Sequence, residues 1–568
     1  MSAPVPRALR VTTAAEARAA DEAAIAAGTP SFALMCRAGT EAASVILASH
    51  ADRLHAGVDV VAGRGNNGGD AYIVAAQLYR AGARVRVWAA APPATVDAQR
   101  AAELWVRTAG RPARAMSDVE AGTPDFAAAL VVDGLLGTGH RGALRPELQP
   151  WCAAIHAARA RGATIVSLDL PSGLDADSGA LSEGGVVAHH TITFGTLKRG
   201  LLQQRAAAGA VSVVDIGLGT ATDLATDAQT AWWCPPHTLA PWLPRAPWNA
   251  HKGVRGRVGI AGGDTGMAGA VVLACKAALA AGAGVVHAVV DAPSVSAIQS
   301  TLPQVIAHEW PPLAASRQVD AMRLTPSESG QVPRYEALAI GPGLGRSRLS
   351  SQVLQRLIDT YRTGPLVLDA DALWLAADAA NALGTDTASL LRYWLRDTPQ
   401  AVCTPHPGEF ARMTGALLPA EWEPRVARVQ DLADRVNAVV LLKGTPTLVA
   451  APKAAEVLIV PHGTPVLATG GSGDALTGLI VALLGQGATA RAAAVVAATV
   501  HGVAAECVQA RALADGQAAL HGHTLDRVLQ ALPDAFGLLD RAPDHAVTRI
   551  SAAATPNACV LGRLPALR

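Results

Sequence analysis

Short apolar strands alternate with helical stretches through most of the chain, and this alternation leaves few possible folds. Segments such as "VDVVAG" from Val58 and "TIVSLDLP" from Thr164 have the apolar character of buried strands. Continuous apolar strands separated by helices are typical of a mostly parallel sheet that is covered on both faces. We therefore predict an α/β fold in which ligands bind at the loops that follow the strands.

The chain is too long for one hydrophobic core, and its amino-acid composition changes at one segment. With 568 residues it is expected to form at least two domains. Residues 231–250 read "AWWCPPHTLAPWLPRAPWNA"; their prolines mark a boundary, and their tryptophans predict packing against the domain that follows. We predict a first domain over residues 1–230, a linker over 231–250, a second domain over 251–532 and a tail over 533–568.

The composition argues against several classes of protein. A formal net charge of +1, without basic runs, favours neither a nucleic-acid partner nor binding to an anionic membrane. Seven widely spaced cysteines without a Cys-x-x-Cys pair indicate reduced thiols rather than a zinc site or a disulfide framework. The N-terminus lacks a basic flank followed by an apolar core, so we expect no signal peptide and a cytoplasmic protein.

One apolar window has the length of a membrane span. Residues 268–290 are almost wholly apolar. Lys276 lies near the middle of this window, and "GAG" from Gly282 interrupts it. We therefore predict a buried helix followed by a buried strand rather than a span.

Helix signals are legible near the start of the chain. Thr13 and Glu16 form a capping-box pattern, and Gly28 predicts the end of that helix. We place a second helix from Phe32 to Ser49 and a third from Asp70.

Four loops at predicted strand ends of the first half carry polar residues on a glycine background. They are "GRGNNGGD" from Gly63, "VDGLLGTGHRGA" from Val132, "LDLPSGLDADSG" from Leu168 and "TFGTLKRG" from Thr193. Such loops beside helix N-termini expose backbone N–H groups and favour phosphate. An amide, a carboxylate and a hydroxyl that converge from three of these loops would suit a monovalent cation.

Other interpretations of these loops fit the sequence less well than a binding site does. Asn-Gly and Gly-Gly are ordinary turn dipeptides, but four glycines and two asparagines within seven residues exceed what one turn requires. The first loop has neither the lysine of a P-loop nor the spacing of a dinucleotide fingerprint. An EF-hand that starts at Asp175 would place Val186 at its twelfth position, which excludes it.

The second half contains a glycine loop directly before an apolar helix, "GGSGDALTG" from Gly470. The N–H groups of residues 471–473 can face an anion, and Asp474 can accept a proton from a hydroxyl that attacks a phosphate. The simpler alternative for Asp474 is a helix N-cap. Only five of the 47 basic residues are lysines, and Lys443 stands at another strand end, which favours the phosphate site.

The segment "TPHPGE" from Thr404 carries His406 and Glu409 three residues apart. Because Pro405 and Pro407 flank the histidine, we predict an extended loop that lines a substrate and holds no metal.

The four loops of the first half, in this order, resemble the epimerase domain of NAD(P)H-hydrate repair enzymes over residues 10 to 220. That family, which has a Rossmann-like fold, interconverts the R and S hydrates that form when water adds to the nicotinamide ring of NADH or NADPH. The resemblance implies a potassium ion held by Asn67, Asp133 and Ser172. It also implies hydrate contacts at Asn66, Asn67, Gly68, Gly69, Asp70, Gly137, Thr138, Gly139, His140, Arg141, Gly142, Ala143 and Asp169.

Asp169 is our candidate for the group that transfers protons at the ring, because epimerisation needs reversible acid–base assistance. The alternative for Asp169 is a carboxylate that caps its own loop. Ala71 departs from the glycine that the family usually has at this position.

Six ordered motifs of the second half resemble the dehydratase domain of the same repair system, which has a ribokinase-like fold. They are "HKGVRGRVGIAGGDTGMAGA", "GPGLG", "LDADAL", "TPHPGE", "LLKGT" and "ATGGSGD", within about residues 240 to 530. That family phosphorylates the hydrate and then expels phosphate. The resemblance implies that Asp474 is the general base. It implies hydrate contacts at Ala270, Gly343, His406 and Asp474, and nucleotide contacts at Lys443, Gly444, Thr445, Pro446, Thr447 and Gly473.

Four positions depart from the family pattern. Thr464, Val466 and Leu467 stand where the family usually has Asn, Gly and Met, and Trp374 replaces a usual Asn. We expect ADP, accompanied by Mg²⁺, as the phosphoryl donor, because fused chains of this type are typically ADP-dependent and no complete P-loop is present. We also expect a homo-oligomer.

Two alternatives remain open at this point. One is a small-molecule kinase of the ribokinase type with a non-catalytic N-terminal domain, although such a kinase has no reason to carry the Asn-Asn-Gly-Gly-Asp segment of the first half. The other is a binding or scaffold protein that keeps the fold without catalysis, which the retained Asp70, Asp133 and Asp169 argue against.

Overall fold

The computed structural model describes residues 8–115, 124–218, 230–310, 335–361, 363–540 and 558–561. These residues separate into two compact units. The first contains the described residues of Ala8–Thr226 together with strand Ala558–Leu561, and the second contains those of Asp227–Asp540.

The first unit is built from ten strands and eight α-helices within the described residues. The strands are β1 (Leu9–Thr12), β2 (Val58–Ala62), β3 (Val85–Ala89), β4 (Arg114–Ala115), β5 (Leu130–Gly134), β6 (Thr164–Leu168), β7 (His190–Phe194), β8 (Leu197–Lys198), β9 (Ala210–Val214) and, from the end of the chain, β20 (Ala558–Leu561). The helices are α1 (Ala14–Ala26), α2 (Ser31–Ser49), α3 (Ala51–Leu54), α4 (Asn66–Arg80), α5 (Val96–Ala109), α6 (Gln149–Ala160), α7 (Arg199–Gln203) and α8 (Arg205–Ala208).

Strand β10 (Thr230–Trp233), the next along the chain, belongs to the second unit.

The main sheet of the first unit has the strand order β20-β9-β7-β6-β5-β2-β3-β4. All neighbouring strands are parallel except β20 and β9, which are antiparallel. Helices α2, α4 and α5 pack on one face through a core that includes Ile46, Ile73 and Trp105. Trp151 of α6 lies in a second core with strand residues on the other face. The structure thus confirms the predicted α/β class and its mostly parallel sheet.

Helix α4 begins four residues earlier than predicted, at Asn66 rather than Asp70. The glycine-rich segment is therefore the first turn of a helix and not a free loop. The reason is close packing: a Cβ on Gly68 would overlap the carbonyl oxygen of Gly63, so only glycine lets the helix start against the end of β2. The predicted capping box of α1 is confirmed, with Thr13 and Glu16 bonded reciprocally.

The second unit contains a further set of strands and helices. Besides β10, its strands are β11 (Arg257–Ala261), β12 (Val285–Val290), β13 (Ile306–Glu309), β14 (Ala337–Ile340), β15 (Leu366–Leu368), β16 (Ala401–Cys403), β17 (Val439–Leu442), β18 (Thr447–Ala450) and β19 (Glu456–Val460). Its helices are α9 (Ala268–Ala280), α10 (Ala292–Thr301), α11 (Arg348–Thr360), α12 (Asp371–Ala382), α13 (Thr387–Trp394), α14 (Pro407–Thr414), α15 (Trp422–Val436), α16 (Ser472–Gly485), α17 (Ala490–Ala514), α18 (Leu525–Gln530) and α19 (Leu532–Asp540).

The strands of the second unit follow the order β13-β12-β11-β14-β15-β16-β17-β18-β19-β10. Pairing is parallel from β13 to β17 and antiparallel on both sides of β18. The parallel part places the carboxyl ends of β14 to β17 along one edge, where the second set of motifs begins.

The apolar window at residues 268–290 is helix α9 followed by strand β12, as predicted. Two helices of the described residues, Ser31–Ser49 and Ala490–Ala514, are long and apolar enough to cross a membrane. Ala490–Ala514 is 94% buried over its apolar window, which is the environment of a core helix in a folded protein.

The structure differs from the predicted linker and tail. Residues 230–233 form β10, which pairs in parallel with β19, and Trp233 and Trp242 are buried. Trp233 and Trp242 therefore pack within the second unit, as expected, whereas Trp248 is fully exposed. The start of the segment is part of the sheet rather than a spacer. Helix α19 extends the second unit to Asp540, and β20 pairs with β9, so the predicted tail includes ordered elements that its weak pattern does not reveal.

We predict that Gly68→Ala lowers the free energy of unfolding by about 2 kcal/mol, because the added methyl group overlaps backbone atoms that cannot move aside. Gly139→Ala is the matched control, since a Cβ at Gly139 meets no atom within 4 Å. Urea denaturation of both variants measures the difference. Equal stability of the two variants would show that α4 does not depend on this close approach.

Candidate active sites

Asp169 follows the carboxyl end of β6 in a backbone conformation that is uncommon for a residue with a side chain, with φ of 63°. Its carboxylate lies 2.8 Å from the ammonium of Lys198 and accepts a hydrogen bond of 3.1 Å from the hydroxyl of Thr193. Lys198 also donates to the carbonyl oxygen of Phe194 at 2.7 Å. Both charged side chains are largely buried, so the ion pair fixes the position of Asp169.

Two further acids lie close enough to this pair to interact with it electrostatically. Burial raises the pKa of Asp70 well above its usual range, and the charges of Asp169 and Asp21 raise it further. Burial also raises the pKa of Asp21, against the opposing effect of Lys198. One lysine thus stands among three carboxyl groups, which suits a site that holds and moves protons.

The three residues expected to bind potassium have the oxygen atoms that such an ion requires. Asp133 is fully buried, and Ser172 donates to it through its hydroxyl at 2.6 Å and its backbone N–H at 2.9 Å. Burial raises the pKa of Asp133, while hydrogen bonds from neutral donors, including Ser167, partly offset that effect.

The side-chain amide of Asn67 gives the most direct indication that these residues suit a cation. Its Nδ2 donates to the carbonyl oxygens of Leu136 and Leu168, at 2.8 and 3.1 Å. Its Oδ1 is buried and accepts no hydrogen bond from any residue that the structure describes. A buried amide oxygen without a donor is costly, and a cation would satisfy it. The residues present therefore fit the ion.

The loop of residues 137–143 lies only partly beside Asp169. A Cβ on Gly137 would stand 3.4 Å from both Asn67 and the Asp169 carboxylate, so this end of the loop faces the site. His140 bonds instead with Ser182 at 2.9 Å, and Arg141 pairs with Asp177 at 2.7 Å.

The side chain of Asn66 also points elsewhere: its Oδ1 accepts a hydrogen bond of 2.7 Å from Thr95, at the start of α5. Of the two neighbouring asparagines, only Asn67 turns its amide toward the strand ends that carry Asp133 and Asp169.

In the second unit, Lys443 is paired with Asp369 across the carboxyl ends of β17 and β15. The distance from the Lys443 ammonium to the Asp369 carboxylate is 2.7 Å, and Thr477 donates to the second oxygen of Asp369, also at 2.7 Å. Burial opposes ionisation of Asp369, but Lys443 and these hydrogen bonds hold its pKa below the usual range. Burial disfavours the charge on Lys443, but Asp369 and Glu409 outweigh it and raise the pKa of the lysine.

Asp474 is not the N-cap of α16. The N-cap is Gly471, with φ of 89°, and Asp474 lies in the first helical turn. Burial raises the pKa of Asp474 to about 7, and the negative charge of Asp369 adds to that effect while Lys443 opposes it. A carboxyl group that titrates near neutral pH is suited to accept a proton during a reaction.

The expected hydrate contacts meet at the same edge of the sheet. A Cβ on Gly343 would lie 3.2 Å from the Cβ of Ala270, so the loop after β14 and the start of α9 are in contact. A Cβ on Gly471 would overlap the side chain of Leu273, one turn further along α9. These close contacts therefore place Ala270 and Gly343 near the N-terminus of α16, the helix that carries Asp474.

The segment around His406 is helical, which corrects the predicted extended loop. Pro407 is the first residue of α14, a position that proline tolerates because the first N–H of a helix has no partner. His406 is the N-cap: its Nδ1 accepts from Gly408 and Glu409, and Glu409 accepts from the His406 N–H at 2.9 Å. Glu409 also lies 3.9 Å from Lys443, which places this helix beside the lysine.

Five of the six expected nucleotide-binding residues, 443–447, form one continuous segment that connects β17 to the start of β18. It begins at Lys443, whose N–H donates to Pro405, and ends at Thr447, whose hydroxyl donates to Gly444. A Cβ on Gly473 would lie 3.3 Å from the Lys443 ammonium. The lysine therefore stands beside the first turn of α16, and the N-terminus of a helix is a favourable position for an anion.

Sequence reasoning did not assign the partners of the two lysines. Asp369 was visible as the first acid of "LDADAL", and Lys198 as one of five lysines, but their roles depend on contacts between distant strands. Asp371 was also unassigned; it accepts from the Gly345 N–H at 2.9 Å. Rare lysines at strand ends were the signal that could have led to these pairs.

The fold and the two sites define a two-part α/β protein with an acid–base site beside cation ligands and another beside an anion-binding helix. Comparison with known proteins agrees with this division. The family described as YjeF-related protein N-terminus matches residues 31–200, and the family described as NAD(P)H-hydrate dehydratase matches residues 258–525.

Curated relatives match nearly the whole chain. Bifunctional NAD(P)H-hydrate repair enzymes from Moorella thermoacetica and Escherichia coli are 37% and 34% identical, covering 79% and 86% of this chain and 82% and 88% of theirs. The chain belongs to the family of bifunctional NAD(P)H-hydrate repair enzymes, which confirms the resemblance seen in the motifs. A solved ADP/ATP-dependent NAD(P)H-hydrate dehydratase from Bacillus subtilis is 26% identical with a TM-score of 0.44, covering 55% of this chain and 99% of that one.

We predict that Asp474→Asn stabilises the protein above pH 7. The folded state binds the Asp474 proton more tightly than the unfolded chain, because its pKa is raised to about 7. Stability that depends on this proton is present at low pH and is lost as the pH rises toward 7. Asparagine carries no charge, so the gain in melting temperature over the native protein should grow between pH 4 and pH 7.

The exposed Asp378 of the same unit provides the control. Asp378→Asn should follow the native pH profile. A gain for Asp474→Asn that does not change with pH would contradict the raised pKa.

Proposed function

We propose that this protein repairs hydrated NADH and NADPH in two reactions carried out by separate sites. The first unit interconverts the R and S hydrates, and the second dehydrates the S hydrate with ADP, giving NAD(P)H, AMP and phosphate. The observation that carries the proposal is the arrangement of Asp474, Lys443 and the first turn of α16 at one edge of the second sheet. It combines a proton acceptor with an anion site, which phosphoryl transfer to a hydroxyl requires.

In the first unit, Asp169 exchanges a proton with the hydrated ring while Lys198 holds its carboxylate in place. Burial raises the pKa of Asp70 well above its usual range, which favours the protonated carboxyl group, a hydrogen-bond donor to the substrate. Asn67, Asp133 and Ser172 would hold the potassium ion, which supplies positive charge for the dinucleotide phosphates. The N–H groups at the start of α4 face the same phosphates.

In the second unit, Asp474 accepts the proton of the hydrate hydroxyl as its oxygen attacks the β-phosphorus of ADP. The bond from that phosphorus to the bridging oxygen breaks, and AMP leaves. Lys443 and the N–H groups of α16 stabilise the negative charge on the transferred group. The bond from the ring carbon to the phosphate oxygen then breaks and releases inorganic phosphate, and the neighbouring ring carbon loses a proton, which restores the double bond of the ring. Mg²⁺ would accompany the nucleotide and neutralise part of its charge.

A ribokinase-type kinase with an inactive first unit is the alternative. It would leave the buried Asp169–Lys198 pair and the unpaired Asn67 oxygen without a role. These features favour an active first unit.

We predict that Asp169→Asn lowers epimerisation by at least about 10²-fold, the scale of a positioned acid–base group, without changing dehydration of pure S hydrate. Asp133→Ala should also weaken epimerisation selectively, because it removes an ion ligand. Epimer interconversion is followed by chromatography, and NADH by its absorbance. Asp125→Asn, at a side chain that is 79% exposed, is the control. Loss of both activities in a folded Asp169 variant would contradict separate sites.

We predict that ADP supports a higher kcat/KM than ATP and that ADP is converted to AMP in step with NADH formed. Lys443→Arg should impair the reaction although charge is retained, because a planar guanidinium cannot replace a compact ammonium 2.7 Å from Asp369. The control is Lys453→Arg, the same substitution at an exposed lysine.

The products are separated by anion-exchange chromatography, with enzyme freed of adenylate kinase. Higher kcat/KM with ATP would show that the donor assignment is wrong and would leave the dehydratase assignment intact.

A further inference from the structure

Two guanidinium groups lie over the indole ring of Trp374 in the second unit. The central carbon of Arg346 is 5.1 Å from the ring centroid, and that of Arg412 is 4.8 Å from it. Guanidinium groups are attracted to the electron-rich face of an indole, which offsets part of their mutual repulsion. Both guanidinium groups are therefore held against the same indole ring.

Both arginines keep guanidinium groups that are available to bind a further group. Arg346 donates through Nε to Asp371 at 2.8 Å, which orients it while its side chain stays 57% exposed. Within the described residues, no hydrogen bond or ion pair involves the exposed guanidinium of Arg412. An oriented guanidinium beside an unpaired one is a suitable receptor for an oxyanion.

These three residues extend from the segments that carry the expected hydrate contacts. Arg346 follows Gly343 by three residues, and Arg412 lies in the helix capped by His406. Trp374 is in the first turn of α12, directly after the carboxyl end of β15. The cluster therefore adjoins the segments that carry the expected hydrate contacts. Arg412 also lies about one turn beyond Glu409, whose carboxylate is 3.9 Å from Lys443.

We propose that Arg346, Trp374 and Arg412 bind a phosphate of the dinucleotide hydrate away from its reacting nicotinamide ring. This inference rests on the proposed function. Both hydrates carry a pyrophosphate, and the NADPH hydrate carries an additional phosphate on its adenosine ribose. Either group offers oxygens that two guanidiniums can bind at once. Trp374 acts as the platform that positions both arginines, a role that the asparagine usual in the family could not fill.

The test compares Arg412→Gln and Arg346→Gln with Arg396→Gln. Arg396 is a matched control because its guanidinium also lies over an aromatic ring, 4.0 Å from the centroid of Tyr393, and it precedes β16 at the opposite edge of the sheet. KM and kcat are measured for the S hydrates of NADH and NADPH, together with KM for ADP, and thermal melting verifies folding.

We expect the two site variants to raise KM for hydrate by about 10-fold, as for loss of a hydrogen bond to a charged group. KM for ADP and kcat should stay within about twofold, because the contact is made equally in the ground and transition states. The native KM for hydrate should rise with ionic strength, and less steeply in Arg412→Gln.

A rise for both hydrates assigns the pyrophosphate, and a rise for the NADPH hydrate alone assigns the ribose phosphate; both results support the inference. Unchanged KM for hydrate in both site variants, or a rise only in KM for ADP, overturns it. If the native enzyme turns over neither hydrate, the proposed function is wrong, and the inference that rests on it is wrong too. An assay of the native protein alone detects this outcome.

Discussion

The ion pair between Lys443 and Asp369 is the interaction on which the second site depends. It joins the ends of two parallel strands at 2.7 Å, and the fully buried Asp369 would be an uncompensated charge without it. The same pair sets the electrostatic environment of Asp474, because Asp369 raises the pKa of that carboxyl group and Lys443 lowers it. Burial is the largest cause of the raised pKa of Asp474, and this one contact modulates that pKa.

The first unit uses the same physical solution on a different sheet. Lys198 and Asp169 pair at 2.8 Å, again at strand ends, and the lysine influences the nearby carboxyl of Asp70. The proton chemistry of each site therefore depends on a lysine that the fold holds in place. Asn67 adds a feature that the second site lacks within the described residues: a buried amide oxygen with no donor, which favours a bound cation.

Much of the fold could be predicted from the sequence because buried parallel strands appear in it as continuous apolar runs. The strands that carry the motifs were found, but the β18–β19 hairpin and β20 were not. The start of α4 was misplaced because the glycines that look like a loop are required by its close approach to Gly63. Likewise, Pro407 suggested an extended segment but begins a helix. The pairing of Lys443 with Asp369 could not be predicted, since no local pattern encodes a contact across 74 residues.

The central claim is that one chain contains two chemically independent sites, of which only the second needs a nucleotide. The most direct measurement starts from purified R hydrate of NADH without nucleotide and follows both epimers and NADH over time. The account predicts that R and S equilibrate with no NADH formed, and that adding ADP then converts both epimers completely to NADH. Formation of NADH before the addition, or survival of the R epimer after it, would contradict the account.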